Sequence, residues 1–271
     1  MITLIAYIFY SMDREVALIT GGTSGIGAAF ARYLAGQGYD LIITGRPNDK
    51  VYPCIENLHK KFNVSVEIIP AELTNNEDIS KIENIIKVNN RIGFLINNAG
   101  FGLGIPFWKD RTDNLERMIK VHINAPVRFV HAVLPGMIKR KKGVIISLSS
   151  LSSFIPIPRD SVYSATKLFQ NSFMESMHIC FKDEGLKIQV LCPGFVRTDF
   201  HKSNNVDQKD ILNNRIIPWM DPDEVVKISI RNLRRKDKVF IIPGFWNKVV
   251  KSVYFIMPSP LYYWLAKKFL I

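Results

Sequence analysis

Short, largely apolar runs recur along the chain, at residues 16–20, 41–44, 66–69, 94–96, 144–148, 188–192 and 239–242. A strand with one face in water alternates polar and apolar side chains, so these unalternating runs predict strands buried on both faces of a parallel sheet. Segments of helical period lie between them. Ile26, Phe30 and Leu34, at i, i+4 and i+8, lay one apolar stripe along a helix that can cover such a sheet. This strand–helix alternation predicts an α/β fold, a doubly wound Rossmann-type parallel sheet with helices on both faces.

No repeat, linker or low-complexity tract divides the 271 residues, so one domain is expected. Its bounds are set at 13–245, after an apolar N-terminal extension (1–12) and before a basic aromatic C-terminal tail (246–271). The rhythm breaks once. Residues 199–221 are polar and long for a connection, which predicts a lid or flexible loop. Asp221, Pro222 and Glu224 then spell a helix start, as N-cap, N1 and N3.

Composition adds limits rather than detail. An apolar share of 47% with 22% charged residues suits a packed core and excludes a disordered chain. The net charge of +12 can attract phosphate groups, anionic lipid or nucleic acid without choosing among them. The densest basic run, 139–142, falls where a helix should end, and no basic stripe interleaved with aromatics marks a nucleic-acid module, so no specific nucleic-acid partner is expected. Cys54, Cys180 and Cys192 fit neither a disulfide framework nor a zinc site. A reducing, cytoplasmic setting follows. The apolar stretch 1–12 is far short of the roughly 20 residues that span a bilayer, and it lacks the basic start and cleavage site of a secretory signal. An interfacial anchor, a tail folded onto the body and an artefact of the assigned start all remain open for it.

The first strand runs into Gly21-Gly22-Thr23-Ser24-Gly25-Ile26-Gly27 and straight into the first helix. Such a turn lets backbone approach a pyrophosphate at a helix N-terminus, and an ordinary strand-to-helix turn explains the glycines equally well. Further on, Asn97-Asn98-Ala99-Gly100 follows the fourth run, Ser149-Ser150 the fifth, and Tyr163 and Lys167 stand four apart, on one face of the next helix. An ammonium beside a tyrosine stabilises the phenolate, which predicts a lowered hydroxyl pKa and proton exchange near neutral pH.

Taken in order and spacing, these motifs resemble the short-chain dehydrogenase/reductase family over roughly residues 14–245. The resemblance implies an oxidoreductase that interconverts a ketone or aldehyde with an alcohol, using hydride from a nicotinamide cofactor. It implies that Ser150, thirteen residues before Tyr163, binds the substrate carbonyl, that Tyr163 transfers the proton, and that Lys167 also holds the nicotinamide ribose. Ser149 and Ser152 are expected to make strand-end and loop hydrogen bonds. Gly21, Thr23, Ser24, Gly25, Ile26, Gly27, Asn98, Ala99 and Gly100 are placed at the cofactor, with Pro193, Gly194, Val196 and Thr198 beside the nicotinamide. Glu72 stands where an Asp usually flanks the adenine.

Two positions depart from the family pattern. His122 occupies the place of an Asn that supports the lysine through a water chain, with Asn124 two residues on. Either the His122 backbone carbonyl makes that water contact, or His122 is a core histidine. At the end of the second strand Gly45 replaces the carboxylate that grips the NAD ribose, and Arg46 follows. Arg46 favours a 2′-phosphate, hence NADP with NAD possible, unless it is a solvated loop residue. The expected substrate is a fairly apolar small molecule bound between 150–158 and 199–221, with Phe154, Ile155, Pro156, Ile157, Trp219 and Met220 as lining. A homo-oligomer is expected. The tail suits peripheral membrane contact, a cap over the pocket or a subunit interface. A cofactor-binding sensor or scaffold with little turnover is the alternative function.

Overall fold

The computed structural model describes residues 14–46, 51–200, 218–235 and 238–269. The expectations for 1–12 and for 201–217 within the presumed lid lie outside them, as does the Cys54 side chain. The predicted strands are all present: β1 (Val16–Thr20), β2 (Asp40–Gly45), β3 (Val66–Pro70), β4 (Ile92–Asn97), β5 (Gly143–Leu148), β6 (Leu186–Leu191) and β7 (Phe240–Ile241). They form one parallel sheet in the order β3-β2-β1-β4-β5-β6-β7.

Helices α1 (Gly25–Ala35), α2 (Val51–Phe62) and α7 (Pro222–Arg235) cover one face. Helices α3 (Asn76–Val88), α5 (Ala125–Arg140) and α6 (Ser161–Phe181) cover the other, and the short α4 (Thr112–Ile119) leads into α5. Successive strand side chains point to opposite faces. Ala17 and Ile19 accordingly join Phe30, Leu34 and Ile230 in one core, while Leu18 and Ile42 join Ile82, Phe129 and Met174 in the other. This is why the runs read as largely apolar. The Asp221 carboxylate accepts the Asp223 N–H at 2.8 Å, the helix start that the residues spell. Lys141 closes α5 in a left-handed conformation within the basic run. Two further helices, α8 (Phe245–Ile256) and α9 (Ser259–Phe269), end the described chain.

The strand order reverses between β1 and β4, whose carboxyl ends flank the crevice where ligands of doubly wound sheets bind. A parallel bridge between Val196 and Met220 ties together the two ends of the long 199–221 connection beside that crevice.

Candidate active site

Thr20 at the end of β1 gathers the crevice. Its Oγ1 accepts the N–H groups of Asn98 and Ala99, each at 3.0 Å, and the Asn98 Nδ2 donates to the carbonyls of Thr20 and Gly21 at 2.9 Å. The loop after β1 is thereby stapled to the end of β4. Gly25 has a φ of +53°, and a Cβ on it would lie 3.0 Å from the Thr198 side chain. A Cβ on Gly27 would stand 2.2 Å from the Gly21 carbonyl oxygen, so no side chain fits there. Ser24 makes no side-chain cap, which leaves the first amides of α1, at Gly25, Ile26 and Gly27, without helical partners. These groups fit a pyrophosphate: unpaired donors, positive helix end and a surface that lets backbone approach.

Around this cradle the other expected cofactor residues fall into place to different degrees. Thr198 is half-buried against Gly25, and Val196 is buried in the bridge to Met220. The Pro193 carbonyl accepts the Leu151 N–H at 2.8 Å, and Gly194 lies flat against Asn247 of α8. Arg46 is exposed at the end of β2. The neighbouring Gly45 is covered by Thr23, whose methyl would sit 2.6 Å from a Cβ at that position. Glu72 is half-buried, and its carboxylate accepts the Thr74 N–H at 3.4 Å in the turn before α3.

Ser150 leaves β5 next to Tyr163 and Lys167, the third and seventh residues of α6. The Ser150 Oγ accepts the Ser152 N–H at 3.2 Å, so its own proton is available to the Tyr163 oxygen beside it. Ser149 instead donates to the Lys167 carbonyl at 3.1 Å. Burial pushes the Tyr163 hydroxyl pKa upward, with the Ser150 hydrogen bond opposing and Asp160 adding to the rise. The expectation of a lowered value is thus reversed. The reason is geometric: the Lys167 Nζ stands over the Tyr163 ring, 5.6 Å from its centre, while it donates to the Leu148 carbonyl at 2.7 Å. Burial pulls Lys167 itself down to about 7, against a smaller upward effect of Cys192.

His122 is fully buried in a widened π-helical turn, Lys120–Asn124, and Asn124 faces solvent. Its Nε2 accepts the Phe101 N–H at 3.1 Å and its Nδ1 contacts the Thr166 hydroxyl at 2.9 Å. Its carbonyl accepts the Gln170 Nε2 at 2.7 Å. That carbonyl thus has a side-chain partner, and its second lone pair can still accept another donor. Gly100 lies against the His122 ring and near the Lys167 Nζ, and a Cβ there would stand a tight 3.0 Å from the His122 Nε2.

The expected lining residues have partners of their own within the described residues. Met220 is core, Phe154 packs edge-on against Phe240 with Lys251 4.3 Å from its ring centre, and Trp219 lies against Phe195. The Pro156 carbonyl is taken by the Tyr262 hydroxyl of α9. A small hollow that reaches Tyr163 is lined by Leu103, Ile105, Phe107, Leu115 and Met118 together with the polar Asp110, Arg159, Asp160 and Ser161. The 101–118 segment carries no motif, and only a general apolar bias signals it.

A doubly wound sheet, a pyrophosphate cradle and a Ser-Tyr-Lys group at one crevice define an oxidoreductase that uses a nicotinamide dinucleotide. The short chain dehydrogenase family model matches residues 15–209, and the chain belongs to that family, whose members act on alcohol and carbonyl groups. It is similar to very-long-chain 3-oxoacyl-CoA reductases. The match with the Macaca fascicularis protein is 33% identical over 93% of this chain and 78% of that one. With the Rattus norvegicus protein it is 34% identical over 69% of this chain and 61% of that protein. A solved short-chain dehydrogenase from Sphingobium yanoikuyae in complex with NADPH superimposes with a TM-score of 0.79, 27% identity, and coverage of 90% of this chain and 96% of that one.

Proposed function

We propose that the chain is an NADP(H)-dependent carbonyl reductase or alcohol dehydrogenase acting on an apolar substrate, with 13–245 as its catalytic domain. The observation that carries this reading is the Ser150 hydroxyl beside the Tyr163 phenol, with the Lys167 ammonium over the same ring, at the edge of the small hollow. Bound nicotinamide supplies or takes up the hydride. In reduction the substrate oxygen accepts hydrogen bonds from Ser150 and Tyr163, and the Tyr163 proton passes to it as negative charge develops. Lys167 stabilises the phenolate left behind and holds the ribose. His122 supports this group through its backbone carbonyl, and Gly21, Thr23, Ser24, Gly25, Ile26 and Gly27 hold the pyrophosphate end.

NADP is favoured because Arg46 and the Thr23 hydroxyl flank the end of β2, where Gly45 carries no carboxylate. The solved relative named above is in complex with NADPH. The reductases that this chain resembles point to a long-chain 3-oxoacyl thioester as substrate. Purified protein assayed by NADPH oxidation against simple ketones, steroid ketones and 3-oxoacyl thioesters of increasing length tests this reading. Turnover with none of them, alongside tight NADPH binding, would favour the sensor or scaffold alternative.

No helix among the described residues is long and apolar enough to cross a membrane. Peripheral contact with an anionic membrane is supported by α8 and α9, which expose Phe245, Trp246, Phe255, Ile256, Tyr263 and Trp264. Residues 246–271 hold four lysines and no acid. Leu168, Phe169 and Ile179 are exposed on α6 and support a homo-oligomer.

A further inference from the structure

Lys167 and Gln170 lie three apart on α6 and both are buried, to 4% and 3% exposure. The Lys167 Nζ contacts the Gln170 Oε1 at 3.5 Å, a long hydrogen bond, while the Gln170 Nε2 donates to the His122 carbonyl at 2.7 Å. The order of atoms is dictated by chemistry. A carbonyl can only accept and an ammonium can only donate, so the amide must turn its NH2 to His122 and its oxygen to Lys167. Glutamine meets both demands at once. A carboxylate would lack the donor, and an apolar residue would leave the buried carbonyl and ammonium with less to bind.

We propose that Gln170 is a positioning residue for Lys167, a side-chain bridge that anchors the ammonium to the His122 carbonyl. The inference rests on the reading of Lys167 as part of the proton-transfer group. With one N–H on the Leu148 carbonyl and one on Gln170, the ammonium keeps its third for the side where the Tyr163 ring lies and the nicotinamide ribose would sit. A neutral amide does not exchange protons at physiological pH as a water chain does. Gln170 therefore orients Lys167 and supports its charge without conducting protons to solvent.

The charge on Lys167 acts on the neutral His122 ring from the π turn and on the Cys192 thiol at the end of β6, which also feels Lys251 of α8. Tyr163, with Asp160 acting on it, is the other titratable group beside the ammonium. Burial pushes the Cys192 thiol up to about 12, so it stays uncharged. His122 and Cys192 are then neutral in the working range and unaffected by a change at Gln170, which makes Lys167 the reporter.

The test is the titration of Lys167 in full-length protein carrying 13Cε-labelled lysine, its resonance identified by its loss in Lys167→Met. Gln170→Met removes the oxygen that supports the ammonium and should lower the Lys167 midpoint by about one pH unit. Gln170→Glu, nearly isosteric, should raise it by at least as much, so the sign of the test survives if the Met variant fails to fold. In oxidation of an alcohol, Gln170→Met should also lower kcat about ten-fold with little change in substrate KM, since it acts on the proton step. A midpoint that moves the same way in both variants, or in neither, overturns the proposal. Failure of the underlying reading is separate: Lys167→Met would then retain parental turnover, whatever the Gln170 variants do to the titration.

Discussion

The imidazole Nδ1 of His122 lies 2.9 Å from the Thr166 hydroxyl oxygen, and that hydroxyl donates to the Tyr163 carbonyl at 2.8 Å. Because the single hydroxyl proton is committed to Tyr163, the oxygen must accept from Nδ1–H, which leaves Nε2 to accept from Phe101. The ring is neutral and fastens the first turn of α6, which carries Tyr163, to the π turn.

Burial first, and the Lys167 charge second, hold His122 well below the ordinary histidine pKa. Its folded value is depressed, so its contribution to stability is present above the unfolded pKa near 6.5 and is lost as pH falls toward the folded value. Below about pH 6.5 the unfolded chain takes up a proton that the native ring does not, costing up to about 1.4 kcal/mol per pH unit. Urea denaturation at pH 7.5 and 5.0 should show this loss in the parent and a smaller one in His122→Asn. Equal losses in both would remove His122 as its source.

Tyr163→Phe deletes one hydroxyl and should leave fold and NADPH binding intact while lowering turnover by at least about a hundred-fold. Comparable turnover of mutant and parent, on any substrate the parent accepts, would reject the proton-transfer assignment. The raised Tyr163 pKa adds a directional expectation. Reduction needs the protonated phenol and the Lys167 ammonium, so its rate should fall as pH rises through about 7, where Lys167 loses its proton. Oxidation needs the phenolate, so its rate should climb with pH from about 6 to 8, by up to about ten-fold per unit.

Arg46 should give a moderate preference for NADPH over NADH, about ten-fold to a hundred-fold in affinity, as one charge-assisted contact of roughly 1.5–3 kcal/mol supplies. Arg46→Ala should remove most of it. The structure makes Gly45→Asp a poor partner for this test, because its Cβ would meet the Thr23 methyl. Fluorescence titration of both cofactors at low salt measures the ratio. Equal parental affinities would withdraw Arg46 as a specificity residue.

The exposed aromatics and lysines of α8 and α9 should carry full-length protein to anionic vesicles, with binding that weakens as salt screens the charge. Flotation with vesicles of mixed zwitterionic and anionic lipid is the measurement. If the protein stays in solution at low salt, these helices are packing surfaces. Trp264→Ser with Lys268→Glu should reduce flotation where the parent floats.

The spacing of short, largely apolar runs was enough to read the seven strands, because a strand covered on both faces is apolar along most of its length and lacks the alternation of a half-exposed one. The Ser150, Tyr163 and Lys167 group was legible for a similar reason: its members act from one strand end and one helix face, so their separations in the chain are nearly rigid. Gln170, Thr166 and Thr20 were not legible. Their meaning depends on partners distant in sequence, His122 48 and 44 residues away from the first two and Asn98 78 from the third. Such pairs leave no local period. The hollow at Tyr163, lined from Leu103 to Met118, was not legible on the same grounds, since apolar residues qualify equally for core and pocket until packing assigns them. The direction of the Tyr163 shift was decided in three dimensions as well. Spacing brings an ammonium to the same helix face, but only the fold sets how much water is excluded, and there burial outweighs the hydrogen bond from Ser150.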